Sequence, residues 1–372
     1  MSGLPEVVMN KTERKSNFDL MRILCIFLII MYHYTTHNGY LFGSFRPQKF
    51  IYASTGIWGM AGVIGFVMIS SHFLYSNNSF SIQKALRITF ETAFYSTLIG
   101  AILFLTGVID PPADYLIQCI FSVFFRQYWF ITDYVIFYIL TPFLKLLCDK
   151  ISIRHHKWLL ITLFAVTLPF RDITHAALIS RLGLMIYTYL LIAYFVRKPD
   201  NIFQRHYKLF SAIVFGSIIL LTCVFISINN TTSNEKYIDW ILNMSYMSST
   251  TMFLTAICLY FIFKNLNIRH SKILSLIGSS TLGIYLIHEH GYFHYILFDN
   301  VLLRPQVYSM TPGPLFYLIS CVGVLLGCSL IHIAIEFIFN KTVYMLTDKY
   351  LKPKYKAFDL KYVPGQDKDQ PV

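Results

Sequence analysis

The stretch DLMRILCIFLIIMYHYTTH, residues 19 to 37, decides the fold of this chain. Its apolar run approaches the roughly 20 residues that an α-helix needs to cross the hydrocarbon core of a bilayer. It nevertheless carries Asp19 and Arg22 near its start and His33 deep inside. Ionisable groups are costly and rare in a membrane interior, so this histidine marks a candidate functional site.

The rest of the chain extends the same pattern. Of its 372 residues, 55% are hydrophobic and only 13% are charged, against about 25% charged in soluble proteins. The apolar runs lack the strict alternation of barrel strands. We therefore predict an all-α, polytopic integral membrane protein with about ten transmembrane helices. The predicted helices cover residues 19–37, 54–75, 87–108, 128–148, 158–170, 182–196, 208–228, 241–263, 276–297 and 314–339.

The distribution of basic residues predicts the topology. Most of the 31 lysines and arginines fall on one side of a ten-span layout, and cytoplasmic loops collect such residues. We therefore expect both termini in the cytoplasm and the chain in a cell membrane. The net charge of +12 then needs no nucleic acid as partner, because positive-inside sorting and anionic lipid account for it. An apolar segment, residues 115–125, could be an interfacial helix or an extra span.

The chain is expected to form one transmembrane domain, residues 1–345, followed by a short basic tail, residues 346–372. Its seven cysteines fall mostly within predicted spans and contain no Cys-x-x-Cys pair. Neither a disulfide framework nor a zinc site is indicated, so we predict no bound metal.

Arg22 and His33 share one face of the first helix. The eleven steps between them turn about 1,100°, which returns to nearly the same face, about 16 Å further along the axis. Asp19, three residues before Arg22, is close enough to pair with it. A neutral imidazole at His33 can accept a proton from a hydroxyl near physiological pH.

This arrangement resembles the opening signature of acyltransferase family three, the membrane enzymes that O-acylate cell-surface polysaccharides. Further stretches are similar to that family in the same order along the chain. They are GVIGFVMISSHFLYS at 62–76, KALR at 84–87, YWFITDYVIFYILTPFL at 128–144 and SSTLGIYLIHEH at 279–290. The chain departs from the family pattern at Ser70-Ser71-His72, where Ser-Gly-Phe is common, at Lys84, where an arginine is common, and at Asp133, which is offset from a common glutamate.

The resemblance implies an enzyme that moves an acyl group, expected to be acetyl, from a cytoplasmic acyl-CoA to a hydroxyl of a cell-surface or lipid-linked glycan. Acyl-CoA would be a substrate, with no bound cofactor. His33 would act as general base or as acyl carrier, two roles that the sequence does not separate. The implied catalytic residues are Asp19, Arg22 and His33; the donor-binding residues are Lys84, Arg87 and Glu91; the acceptor-positioning residues are Trp129, Asp133, Tyr285 and His288.

A second group of ionisable residues, the late cluster, consists of His288, Glu289, His290 and His294. His290 and His294 share a helix face, whereas His288 points elsewhere, so one metal ion does not easily bind all three. His332 and Glu336 stand four residues apart and predict a stabilising pair on the last helix.

Two other functions remain open at this point. A polysaccharide exporter or flippase would need a continuous polar path but no thioester chemistry. A structural partner in a glycan-synthesis complex would need neither. The alignment of Arg22 with His33 favours the enzyme, because the other two classes have no use for it.

Overall fold

The structure is a computed structural model that describes residues 16–36, 48–77, 80–174, 177–232 and 236–339, and its regular elements in these ranges are all helical. The predicted all-α class is therefore confirmed. The helices are α1 Ser16–Thr36, α2 Gln48–Gly56, α3 Gly59–Asn77, α4 Ile82–Leu105, α5 Tyr115–Ile120, α6 Trp129–Lys150, α7 Ile153–Thr174, α8 Arg181–Arg197, α9 Ile202–Thr232, α10 Lys236–Met244, α11 Thr250–Asn265, α12 Lys272–Ser279, α13 Thr281–His288, α14 Phe293–Tyr295, a π-helix Ile296–Val301, α15 Arg304–Ser309 and α16 Gly313–Phe339.

Six of the described helices are long and apolar enough to cross a membrane, which identifies a multi-pass membrane protein. They are Ser16–Thr36, Ser54–Asn77, Ile82–Leu105, Trp129–Lys150, Ile202–Asn229 and Gly313–Phe337. Each matches one of the ten predicted spans. The full count of ten and the cytoplasmic placement of both termini stay predictions, and residues 1–15 and the tail 346–372 lie outside the described residues.

Two of the later predicted spans are not continuous helices. The segment 241–263 is divided between α10 and α11, because Ser249 caps α11 by accepting a hydrogen bond from the Met252 N–H. The segment 276–297 is divided among α12, α13 and α14, with breaks at Ser280 and around Gly291. Residues 115–125 contain only the short helix α5, which cannot span a bilayer and so excludes the extra span.

Helix α1 lies at the centre of the bundle and packs against α2, α3, α11, α12, α13 and α16. Small residues allow the closest approach. A Cβ at Gly62 of α3 would lie 2.5 Å from the carbonyl oxygen of Cys25, and one at Gly278 of α12 would lie 3.0 Å from the Cβ of Asp19. The first half of α1 is thus fixed against α3 and α12.

Candidate active site

One large cavity of about 1240 Å³ runs beside α1. Arg22 and His33 both line it, as their predicted common face requires. The cavity has two ends. At the Arg22 end the wall includes His72, Asn77 and Lys84, and at the Trp129 end it includes Tyr32, His33, Trp129 and Tyr285. This volume is above the range of about 300–1,000 Å³ that is usual for small-molecule sites, so the cavity can hold more than one small substrate.

The predicted pair at the Arg22 end is present. Arg22 donates a hydrogen bond to Asp19 Oδ1 over 2.7 Å, and the Asp19 side chain is fully buried. The hydroxyl of Ser275 donates to the second carboxylate oxygen over 2.9 Å. Asp19 therefore anchors the guanidinium to the wall between α1 and α12, and its carboxylate faces protein rather than the cavity lining.

His33 is 6% exposed and its Nδ1 is shared between two residues of the late cluster. Glu289 Oε2 lies 2.8 Å from His33 Nδ1, and His288 Nε2 lies 3.2 Å from the same atom. His288 is itself held by the Ile284 carbonyl oxygen, 2.6 Å from its Nδ1. Because a carbonyl only accepts, His288 Nδ1 carries a proton.

These contacts assign a tautomer to His33. Since His288 uses its Nδ1 proton for the Ile284 carbonyl, its Nε2 is the acceptor, and His33 donates to it from Nδ1 over 3.2 Å, which leaves the His33 lone pair on Nε2. The Glu289 carboxylate lies beside the same Nδ1 at ion-pair distance. A carboxylate-oriented imidazole of this kind is the arrangement of a general base, and the carboxylate also stabilises the imidazolium that forms when the base takes a proton. His33 and Glu289 together thus form a histidine–carboxylate pair beside the large cavity, which His33 lines.

The same three side chains could also hold a metal ion. Ligand atoms of His33, His288 and Glu289 all lie within 4.8 Å of one another, and two histidines with one glutamate form a known catalytic zinc ligand set. The ligand combination assessed from the sequence was a different one, His288 with His290 and His294. In the structure His290 lies near the Tyr115 hydroxyl, 3.5 Å away. The prediction of no bound metal stays a prediction.

The predicted donor-binding residues separate. Lys84 lines the large cavity at the Arg22 end. Arg87 instead pairs with Glu336 over 3.3 Å, and Arg87 and Glu91 line a separate small cavity beside His332. Lys84 thus shares the large cavity with Arg22 and His33, whereas Arg87 and Glu91 lie beside a different cavity; the donor-binding role of all three stays a prediction. His332 accepts or donates a 2.7 Å hydrogen bond with Tyr95, and its Nε2 lies 3.6 Å from Glu336.

The predicted acceptor-positioning residues also differ in placement. Trp129 and Tyr285 line the cavity. Asp133 is buried and pairs with Arg126 over 3.1 Å, so its carboxylate is used within the protein. His288 contacts His33 directly, which makes it part of the imidazole cluster and not of the wall that would receive an acceptor.

Sequence reasoning missed the roles of two residues. Glu289 was recognised only as part of an ionisable cluster, although an acidic residue within an apolar segment was the available signal. The ten-span layout places Arg304 on the outer side, and nothing else in the sequence indicates a role for it. It is fully buried, pairs with Asp299 over 2.7 Å, and donates to the carbonyl oxygens of His33 and Tyr34 over 3.5 and 3.3 Å. No sequence spacing predicts a contact between positions so far apart.

A family model described as an acyltransferase domain matches residues 15–333 of the chain. No curated protein and no solved structure gives a significant match. The matched range begins just before α1 and ends within α16, so it contains every residue that the structure places around His33 and along the large cavity.

Proposed function

Because the chain belongs to acyltransferase family 3, we propose that it is a membrane-bound O-acyltransferase that moves an acetyl group from acetyl-coenzyme A to a hydroxyl of a glycan. The acceptor is a cell-surface or lipid-linked glycan, and the membrane is a bacterial plasma membrane. One observation carries the proposal. The carboxylate-held imidazole of His33 and the cations Arg22 and Lys84 line the same cavity.

The Arg22 end suits a donor that carries phosphate. Arg22 is paired with Asp19. Lys84 instead lies over the ring of Tyr138, with its ammonium nitrogen 5.5 Å from the ring centroid. Because Lys84 forms no ion pair with a described carboxylate, it leaves positive charge on this wall. Phosphate groups of coenzyme A would neutralise it, because guanidinium and ammonium groups both bind phosphate strongly.

His33 supplies the chemistry in this proposal. The acceptor hydroxyl gives its proton to His33 Nε2 while its oxygen attacks the thioester carbonyl carbon. The tetrahedral intermediate then collapses, the C–S bond breaks, and the thiolate of coenzyme A takes the proton from the imidazolium. An alternative order, in which His33 first accepts the acyl group as an acyl-imidazole, uses the same residue. Tyr32 and Tyr285, both at this end of the cavity, are candidates to stabilise the oxyanion.

The test uses radiolabelled acetyl-coenzyme A and membranes that contain the full chain. Label should reach the surface or lipid-linked glycan with the wild type, and His33→Ala should reduce transfer by about 10²–10⁴-fold. His155→Ala is the matched control, because His155 is exposed on α7 and its ring shares a hydrogen bond with the neighbouring Ser152. Unchanged transfer by His33→Ala would overturn the proposal. Glycan that needs the protein for export but acquires no label would instead favour the exporter.

A further inference from the structure

Two arginines at the Trp129 end are stacked on aromatic rings. Arg181, the first residue of α8, has its guanidinium carbon 4.2 Å from the ring centroid of Trp129. Arg171, near the end of α7, has its guanidinium carbon 4.5 Å from the ring centroid of Tyr246. In the described part of the chain, neither guanidinium forms an ion pair with a carboxylate. We refer to Arg171 and Arg181 as the stacked arginines.

Arg171 has an unsatisfied donor. Its side chain is only 4% exposed, and one terminal nitrogen donates to Asn243 Oδ1 over 3.2 Å. The other, Nη1, is buried and has no hydrogen-bond partner among the described residues. The adjacent carboxylate, Asp172, accepts from the Thr250 N–H over 3.1 Å and is not a partner of this nitrogen among the described residues. A buried charged donor without a partner is costly, so its retention is evidence for a ligand acceptor.

Both stacks lie near the cavity. Trp129 lines it directly. Arg181 is close enough to interact electrostatically with the hydroxyls of Tyr32 and Tyr285, and Tyr246 is close enough to interact with that of Tyr32. The carboxylate at this end, Glu289, is held by His33 Nδ1 over 2.8 Å. The stacked arginines therefore add positive charge to the Trp129 end that no described carboxylate neutralises by direct contact.

We propose that the stacked arginines bind an anionic group of the acceptor, so that the acceptor is an acidic glycan bearing a carboxylate or a phosphate. Stacking fixes the plane of a guanidinium and leaves its N–H edge to form paired hydrogen bonds with either anion. The anion belongs to the acceptor and not to the donor phosphates, because those are proposed at the Arg22 end, about 16 Å away along α1. This inference rests on the proposed function and names the substrate class of the same cavity.

The test compares a uronic-acid oligosaccharide with its carboxyl-reduced counterpart, which has the same length and linkages but no charge. The wild type should acetylate the acidic acceptor at least tenfold more efficiently. Arg181→Gln should raise KM for the acidic acceptor at least tenfold and abolish the preference, while KM for acetyl-coenzyme A stays unchanged. Arg205→Gln is the control, because Arg205 is exposed and pairs with Asp200. A wild type with equal efficiency on both acceptors, or a preference that survives in Arg181→Gln, would overturn the inference.

Arg171 needs a gentler change because its side chain is buried. Arg171→Lys keeps the charge but loses the planar fork, and it should also weaken the preference for the acidic acceptor. The preference for the acidic acceptor is also measured in neutral nanodiscs and in membranes that contain phosphatidylglycerol. If it is lost only in the presence of phosphatidylglycerol, the stacked arginines bind a lipid headgroup and the inference is wrong.

Binding separates this inference from the proposed function. His33→Ala protein, which cannot catalyse the proposed transfer, should still bind the acidic oligosaccharide more tightly than the reduced one, and Arg181→Gln in that background should remove the difference. If the wild type transfers no acyl group but this binding difference is found, the proposed function fails and the acidic ligand stands. If transfer is found without a binding difference, the function stands and the acidic ligand fails.

Discussion

Glu289 Oε2 lies 2.8 Å from Nδ1 of His33, although the two residues belong to α1 and to the turn that follows α13. The carboxylate is 14% exposed and the imidazole 8%. At this distance the carboxylate and the imidazole form an ion pair when the ring is protonated. The surroundings of His33 therefore depend on how α13 ends, and not on α1 alone.

The first prediction concerns that carboxylate. Glu289→Gln keeps the size of the side chain but removes its charge, so the imidazolium formed during transfer loses its stabilising partner. We expect kcat to fall by on the order of 10²-fold, with KM for acetyl-coenzyme A unchanged. Initial rates at varied donor concentration measure both constants.

Glu336→Gln is the matched control for this change. Glu336 also stands beside a histidine, His332, at 3.6 Å, but neither residue lines the large cavity. It should leave kcat within about twofold of the wild type. A similar fall in both variants would mean that the loss reflects general destabilisation of the bundle and that Glu289 has no specific role.

The second prediction distinguishes Lys84 from Arg87, both of which were expected from the sequence to bind the donor. Lys84 lines the large cavity, whereas Arg87 pairs with Glu336. Lys84→Met should raise KM for acetyl-coenzyme A about tenfold or more, because a hydrogen bond to a charged group contributes about 1.5–3 kcal/mol. Arg87→Met should leave that KM nearly unchanged. The reverse order of effects would place the donor in the small cavity beside His332 instead.

The third prediction concerns Arg304, whose side chain holds the last turn of α1 through the carbonyl oxygens of His33 and Tyr34. Tyr308 donates to the same Tyr34 oxygen over 3.3 Å. These are carbonyls that a helix end leaves without an intrahelical donor. Arg304→Lys keeps the charge but cannot reach two carbonyls and Asp299 together. We expect kcat per folded molecule to fall by about tenfold, with KM for acetyl-coenzyme A unchanged.

Arg197→Lys is the control for Arg304→Lys. Arg197 also donates to carbonyl oxygens at a helix end, those of Cys148 and Ile151, but at a site away from the large cavity. Both variants should unfold at a lower temperature in detergent, because each loses hydrogen bonds to backbone oxygens. Only Arg304→Lys should lower kcat. Equal kcat in both variants would limit Arg304 to a structural role.

The sequence predicted those parts of the molecule that depend on one helix. The membrane class, the common face of Arg22 and His33, and the Asp19–Arg22 pair all follow from helical periodicity over a few turns. What joins distant segments was not predictable. The Arg87–Glu336 pair, the Asp133–Arg126 pair and the Glu289–His33 contact depend on how the helices pack.

The breaks in the late segment were missed for a related reason. Residues 276–297 are apolar enough to be taken as one span, yet the chain turns at Ser280 and again after His288. Those turns bring α13 against both α1 and α16, which is what places His288 and Glu289 beside His33. Hydropathy indicates whether a segment lies in an apolar environment or in water, but it does not indicate where the backbone turns.

The last prediction tests the packing that positions α13. A Cβ at Gly283 would lie 2.0 Å from Nδ1 of His332, and that ring is buried and held by Tyr95 over 2.7 Å. Gly283→Ala must therefore displace either His332 or α13, at a cost of about 1–3 kcal/mol. We expect a lower unfolding temperature in detergent together with reduced transfer, because α13 leads directly into Glu289. Gly323→Ala on α16 is the control, since its Cβ would meet no atom within 4 Å. Adding His332→Ala to Gly283→Ala removes the clash and should restore part of both losses; if the double variant is no better than Gly283→Ala, the contact with His332 does not set the position of α13.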